Sequence, residues 1–436
     1  MTAEIAILNR SAVALAADSA VTLQSEDAPP KIYNTNKLFA LSKYHPVGVM
    51  IYGNAEFMGF PWETLIKAYR SNLGQKEFQR LGDYGADFLK FLGRNSHLFP
   101  PERQKVHFYL LVAKWLGTLK HRWKETLREE IKKGASVSPR KAKSIFQDIV
   151  EAEIIHLRNH KTLGMFSRVK PSSVLRTYRD VIRQAIKNEL QSLATGAYVS
   201  RIESTAALVA TKEVYFGGST GVVVAGFGKG ELFPAMRCYE LDSVFLGKLR
   251  AREDVGRRAN VTFDDNSIIH AFAQTEMVGQ FMDGIDGDFR EFIVNFVNSV
   301  LLKGYPDIIA RVLKGRLSDR EIQSLTKQFV KGGKNLVNAL VSDLGSYSRV
   351  RHSDPIVEIV NALPKEELAA MAESLVNLTS FKRHVTRDAE TVGGPIDVAV
   401  ISRADGFIWI KRKHYFKKEL NPQFFSNYYM DTKGKL

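Results

Sequence analysis

Thr2 and Asp18 are the residues whose types and spacing most directly allow chemistry. They bracket the opening run MTAEIAILNRSAVALAADSAVT, in which two β-patterned stretches flank a turn and deliver Asp18 sixteen residues after Thr2. Removal of Met1, which a small second residue permits, leaves Thr2 with a free α-amine. A threonine of that kind holds its own general base: the amine takes the hydroxyl proton and the oxygen attacks a carbonyl carbon.

The elements that must position these two residues follow from periodicity. Residues 3–8 and 11–17 read as a hairpin turning at Asn9-Arg10, with alanine, isoleucine, valine and leucine toward a core. A polar loop runs through Pro29-Pro30. A second apolar pair then covers 37–41 and 47–52 and ends at Gly53, and Asn54 is placed to cap a helix from about Ala55 carrying Trp62, Leu65 and Ile66. From about 73 to 200 apolar residues recur at three- and four-residue intervals, a helical pattern with a break at 136–139. Strand patterning returns over Ala206–Lys212, Val222–Gly226 and Leu232–Leu241. Ile268–Met282 reads as a helix, and further helices fill roughly 288–382. A last hairpin joins 396–401 to 406–410 across Ala404-Asp405. Strands at both ends and in the middle, with helices between, predict an α+β chain in which two β-sheets pack together under helices.

Composition narrows the function classes. The 436 residues are 44% hydrophobic and 25% charged, which argues against wholesale disorder. The single cysteine, Cys238, excludes an intrachain disulfide and a cysteine-based zinc site. Glu153, His156 and His160 share a helical face, but the histidines lack the glutamate of an HExxH site between them, and the glycine-rich runs 217–221 and 226–230 fail the phosphate-loop pattern. No metal and no cofactor is expected. No apolar stretch is long enough for a membrane helix; Glu4 lies where a secretion leader would be basic, and Asn9-Arg10 interrupts the apolar run. A soluble, cytoplasmic protein without a membrane partner is expected. The net charge of +15 is concentrated in 101–200, as at Lys132-Lys133 and Arg140-Lys141-Ala142-Lys143, and again in the tail. It reads as a solvated helical face, with nucleic acid as the alternative partner. Trp115 and Trp123, at helical spacing, read as core or interface rather than as base-stacking residues.

Four separated blocks, in order, resemble proteasome β-type subunits of the N-terminal nucleophile (Ntn) hydrolases. Thr2 falls at that family's terminal threonine, and Ala16-Ala17-Asp18-Ser19 at its strand-end aspartate. Lys37 before Leu38–Leu41 falls at its lysine, and Tyr52-Gly53-Asn54-Ala55 with Pro61-Trp62-Glu63 at its oxyanion glycine and following helix. Near the other end, Arg387-Asp388-Ala389, Gly393-Gly394 and the terminal hairpin resemble its second aspartate and double glycine. Singly, each has an ordinary reading as a chain terminus, a turn acid, a surface lysine or a loop acid. Their ordered coincidence carries the resemblance.

The resemblance implies a four-layer αββα sandwich: a first core half over 1–72, a basic helical insertion over 73–203 and core strands and helix over 204–287. A second insertion over 288–385, a terminal core hairpin over 386–412 and a tail over 413–436 complete it. It implies a threonine peptidase or amidase in which Lys37 disfavours protonation of the Thr2 amine, Asp18 orients Lys37, Asp388 fixes the amine, and Gly53 donates its N–H to the oxyanion. Val21, Ile51 and Ala55 match the substrate pocket, and Thr275 and Thr391 the supporting shell. The departures are Ala20 where the family has arginine, Phe272-Ala273-Gln274-Thr275 in place of Gly-Ser-Gly, and one extra residue before the double glycine; they imply an altered or restricted activity. A homo-oligomer or dedicated protein partner is expected. The alternative is an Ntn-fold scaffold with lost or residual activity, binding nucleic acid or a protein through its basic helices.

Overall fold

The computed structural model describes residues 3–25, 28–194, 196–265, 267–386, 393–414, 416–424 and 426. Thr2, Asp388 and Thr391 lie outside them.

Strands β1 (Ala3–Asn9) and β2 (Ala12–Ala17) form the expected hairpin, with Asn9 accepting from the Ser11 and Ala12 amides at the turn. Both strands are buried on both faces. On β1, Ala3, Ile5 and Ile7 face one core while Ala6 and Leu8 face another, and β2 alternates likewise. Next come β3 (Ala20–Ser25) and β4 (Ala28–Asn34), a separate two-stranded ribbon where a polar loop was expected. Then β5 (Leu38–Ala40) and β6 (Val47–Gly53) pair, and the short β7 (Glu56–Phe57) and β8 (Phe60–Pro61) lead into α1 (Trp62–Leu73). The helix therefore starts seven residues later than Asn54 predicts, because 56–61 is a tight hairpin whose Phe57 packs edge-on against Phe99 and near Trp62.

Helices α2 (Leu81–Arg94), α3 (Pro101–Lys132), α4 (Pro139–Asn159), α5 (Pro171–Leu190) and α6 (Ala197–Thr211) follow. Prolines at the first turns of α3, α4 and α5 suit positions whose N–H has no helical acceptor. Ala206–Lys212, read as strand, is the end of α6 and its exit: Ile202, Ala206, Val209 and Ala210 are fully buried, so their short apolar run fits a core helix as well as a strand. Then come β9 (Thr220–Gly226), β10 (Ala235–Phe245), β11 (Lys248–Glu253), β12 (Ala259–Asn260) and β13 (Ser267–Ala273). Ile268–Met282 was read as a helix, but its first part, to Ala273, belongs to β13, which pairs along the whole of β1, from Ala3 opposite Ala273 to Asn9 opposite Ser267. That non-local pairing overrides the local pattern.

The chain closes with α7 (Glu276–Asp283), α8 (Gly287–Ser299), α9 (Tyr305–Leu313), α10 (Asp319–Ser348), α11 (Asp354–Ala362), α12 (Lys365–Val385), β14 (Asp397–Ser402) and β15 (Gly406–Lys411).

The two large sheets are antiparallel throughout, ordered β13-β1-β2-β14-β15 and β11-β10-β9-β6-β5, with β12 beside β10. Leu8, Val13, Leu15, Met50, Val223 and Ile401 fill the space between them. Leu368, Ala369, Ala372 and Val376 of α12 cover the outer face of the first sheet, where Ala12, Ala14 and Ala16 let the helix come close. Helices α1 and α2 cover the outer face of the second through Leu65, Ile66, Phe88 and Leu92. Phe245, at the end of β10, ties the α3–α6 core to that sheet by packing on Phe108, Phe166 and Tyr178.

Arg250 on β11 is fully buried. It donates to the carbonyls of Val209, Ala210, Lys212 and Val214 at the end of α6, and its Nε reaches both Asp242 carboxylate oxygens at 2.9 and 3.1 Å. One cation thus satisfies orphan carbonyls at a helix C-terminus and pins that helix to the sheet. Arg250→Met leaves a carboxylate and several carbonyls unmatched and should lower stability by about 3–5 kcal/mol, measured as a shift in the urea unfolding transition.

Candidate active site

Asp18 leaves the end of β2 completely buried, and each carboxylate oxygen is used. Oδ1 accepts from the Ala3 amide at 3.1 Å and from Lys37 Nζ at 2.5 Å, while Oδ2 accepts from the Gly393 amide at 3.0 Å. One side chain therefore ties together the first strand, the residue preceding β5 in the other sheet, and the loop entering β14. Lys37 is held from below by its own carbonyl, which accepts from the Ile51 amide at 2.8 Å. A buried ammonium needs such a partner, since desolvation of an unmatched charge costs several kcal/mol.

A second carboxylate stands at this ammonium. Glu4 Oε1 lies 3.6 Å from Lys37 Nζ, and Glu4 is fully buried. The alternation of β1 points Glu4 to the same side as Ala6 and Leu8, into the space between the sheets. In the sequence, Glu4 counted only against a secretion leader. An acid at an inward position of a strand otherwise buried on both faces was the signal that could have marked it.

Gly53 ends β6, opposite Thr220, exposed and with φ at +87°. A Cβ there would sit 2.8 Å from the Ser219 carbonyl oxygen, so a side chain is excluded by both strain and space. Lys37, Gly53, Val21, Ile51, Ala55 and Trp62 line one narrow cleft of only about 10 Å³. Tyr52 also reaches it, but burial pushes its phenol up to about 12, which keeps it neutral. This cleft shares Val21, Gly53, Asn54 and Ala55 with a larger groove of about 1310 Å³ counting its open mouth. Asn54 caps no helix; its Nδ2 donates to the Gly218 carbonyl at 2.5 Å across that groove. Thr275 stands apart, exposed at the start of α7 and lining neither cleft.

The groove's far wall was not anticipated. His107, Leu110, Leu111 and Lys114 from one face of α3, with Phe216, Gly217 and Gly218, complete it. Helical spacing of three and four put these α3 residues on one stripe, but nothing local in the sequence told which element that stripe would meet.

Elsewhere on the basic helices several charges are matched. Arg122 pairs with Glu153 at 2.8 Å, Arg183 with Glu203 at 2.6 Å, and Arg201 with Glu151 at 2.6 Å. Trp115 is fully buried and Trp123 donates to the Ala142 carbonyl at 2.8 Å. The His156 and His160 rings lie 4.1 Å apart, tilted by 55°, and no group of three potential ligands able to hold a metal occurs among the described residues. No described helix is long and apolar enough to cross a membrane.

Because Asp18 and Lys37 face one another without water between them, their contributions should be strongly non-additive. Asp18→Asn or Lys37→Met alone should cost about 3–5 kcal/mol, and the double variant less than the sum of the two. Urea unfolding of the four proteins measures the coupling.

The sequence matches no protein-family model and no curated protein. Among solved structures it is similar to the Anbu complex of Pseudomonas aeruginosa, described as a helical assembly, at 10% identity over 100% of this chain and 96% of that one, with a TM-score of 0.26. It is also similar to Anbu (ancestral beta-subunit) from Yersinia bercovieri at 11% identity, 100% and 97% coverage and a TM-score of 0.26. For the Gly-1 mutant of Anbu from Hyphomicrobium sp. strain MC1 the values are 10% identity, 100% and 98% coverage and a TM-score of 0.29. These neighbours correct the family expectation: they are named Anbu, not proteasome β-type subunits. Likeness at this overlap and identity transfers neither family nor activity to the chain.

Proposed function

We propose that this chain is an N-terminal threonine hydrolase that cleaves a peptide or other amide bond, with Thr2 as nucleophile once Met1 is removed. The observation that carries the proposal is the buried Lys37–Asp18 pair, 2.5 Å apart, whose carboxylate also grips the Ala3 amide, the nitrogen through which Thr2 is attached. The packing of helices on both outer faces of two facing sheets supports a four-layer αββα sandwich of the Ntn type, with 73–203 and 288–385 set into it as insertions.

In this mechanism the Thr2 amine takes the proton from its own hydroxyl, and Oγ attacks the substrate carbonyl carbon. Lys37 disfavours a second positive charge on the amine, keeping it basic in the sense needed. Gly53 offers its N–H to the oxygen that gains negative charge, without a side chain to bar approach. The amide C–N bond then breaks, its nitrogen taking the proton from the amine, and leaves an ester on Thr2. Water, deprotonated by the same amine, releases the acid. Asp18 and Glu4 position Lys37, and Asp388 holds the amine. Thr391 is carried as a supporting residue, and the apolar Val21, Ile51 and Ala55 select an apolar side chain before the scissile bond.

Two measurements test this reading. Intact mass should show loss of Met1, and a peptide β-lactone should add once per chain. The adduct should be absent in Thr2→Ala and form about 10²-fold or more slowly in Lys37→Met. Met1 retained in every molecule, or unchanged labelling of Thr2→Ala, would overturn the proposal.

A further inference from the structure

The groove beyond the small cleft has an asymmetric chemistry. Its α3 wall is apolar at Leu110 and Leu111 and meets Phe216 from the facing loop, yet Lys114 stands on the same stripe. The only hydrogen bond of the Lys114 ammonium among the described residues is to the Gly217 carbonyl, at 3.4 Å. Several other cations of α3 are taken: Lys105 by Glu102, Arg122 by Glu153 and Arg128 by Glu125. Arg103 is spent on the Met58 carbonyl and the Phe60 ring.

The acids at the groove leave Lys114 unmatched. Asp242 is engaged by Arg250 and by the Ser243 hydroxyl. Glu56, exposed on β7, makes no ion pair with Lys114. His107, one turn and more along the stripe, is kept neutral near pH 7, because burial and the nearby Arg103 and Lys114 charges lower its basicity. Gly218 supplies the room: with φ at +73°, it would place any Cβ 2.2 Å from Lys114 Nζ. The Lys114 ammonium thus lies against this loop, and no carboxylate of the described residues pairs with it.

We propose that the α3 wall of this groove is a recognition subsite for an acidic peptide, in which Lys114 receives a substrate carboxylate while Leu110, Leu111 and Phe216 pack its aliphatic part. The inference rests on the groove being the substrate site of the proposed hydrolase. The first helical insertion then contributes specificity in cis, through one face of α3. A carboxylate at Lys114 makes a charge-assisted bond beside apolar walls, where such bonds are stronger than in open water.

The test is equilibrium binding to the full chain carrying Thr2→Ala, so that turnover plays no part. The probes are an acetylated tripeptide amide with two glutamates followed by leucine, and its counterpart with two glutamines. The acidic peptide should bind about tenfold tighter. Lys114→Met should abolish that preference, whereas Lys132→Met, at the far end of the same helix, should leave it intact. Equal binding of the two peptides, no binding of either, or a preference that survives Lys114→Met would overturn the inference. β-Lactone labelling that fails while the Lys114-dependent preference stands would sink the hydrolase mechanism instead.

Discussion

A single buried ammonium constrains more of this molecule than any other group. Lys37 enters the space between the sheets just before β5, and the two carboxylates around it arrive from the first sheet. Placing a cation in a region of low polarity is tolerable only if opposite charge is brought to it and held. Asp18 meets that requirement because it sits where β2 stops, so its oxygens can reach the Ala3 and Gly393 amides as well as Lys37. The ends of β1 and β2, the entry to β14 and the start of β5 are therefore fixed relative to each other through one carboxylate. Glu4 adds a second negative charge from a strand that is otherwise apolar on that face.

The groove depends on this fixed point at one end and on a second buried cation at the other. Arg250 links α6 to β11 and takes Asp242, a residue of the groove wall, into the same network. Phe245 on β10 is wedged into the core of α3 to α6. The helix that presents His107 and Lys114 is thus braced against the sheet that presents Gly53. Two elements far apart in sequence can then hold facing walls at constant separation, as a site for an extended ligand requires.

What was legible in the sequence was what local pattern controls. The β1–β2 hairpin, β5, β6 and the β14–β15 hairpin alternate with period two between flanking turns, and the structure places strands there. Asp18, Lys37, Gly53, Val21, Ile51 and Ala55 were singled out, and they do come together, whereas Thr275 does not join them. The misreadings share a cause. Residues 206–212 and 268–273 are short apolar runs whose local pattern fits either conformation; burial in a helical core decided the first and pairing with β1 the second. The hairpin of β7 and β8 displaced the start of α1 through aromatic contacts with Phe99, which lies outside any local window. The far wall of the groove was invisible for the same reason: a helical face is readable, its partner is not.

Net charge was the least informative sequence feature, and the reason is geometric. The excess of basic residues over 101–200 invites a polyanion, but a binding surface requires charges that are both unmatched and convergent. On α3, α4, α5 and α6 several arginines reach across to carboxylates of neighbouring helices, so part of the positive charge braces the bundle. The aromatic residues that would stack on bases are engaged inside it. Lys114 differs in place: exposed on α3, it lines a concave, partly apolar groove adjoining the Lys37 cleft and pairs with no carboxylate of the described residues. A charge in that setting is felt by whatever occupies the groove, whereas a charge already paired on a helix surface is largely screened. The electrostatic character of the candidate site is therefore set by the few charged groups that line it, Lys114 among them, and not by the sum over the chain.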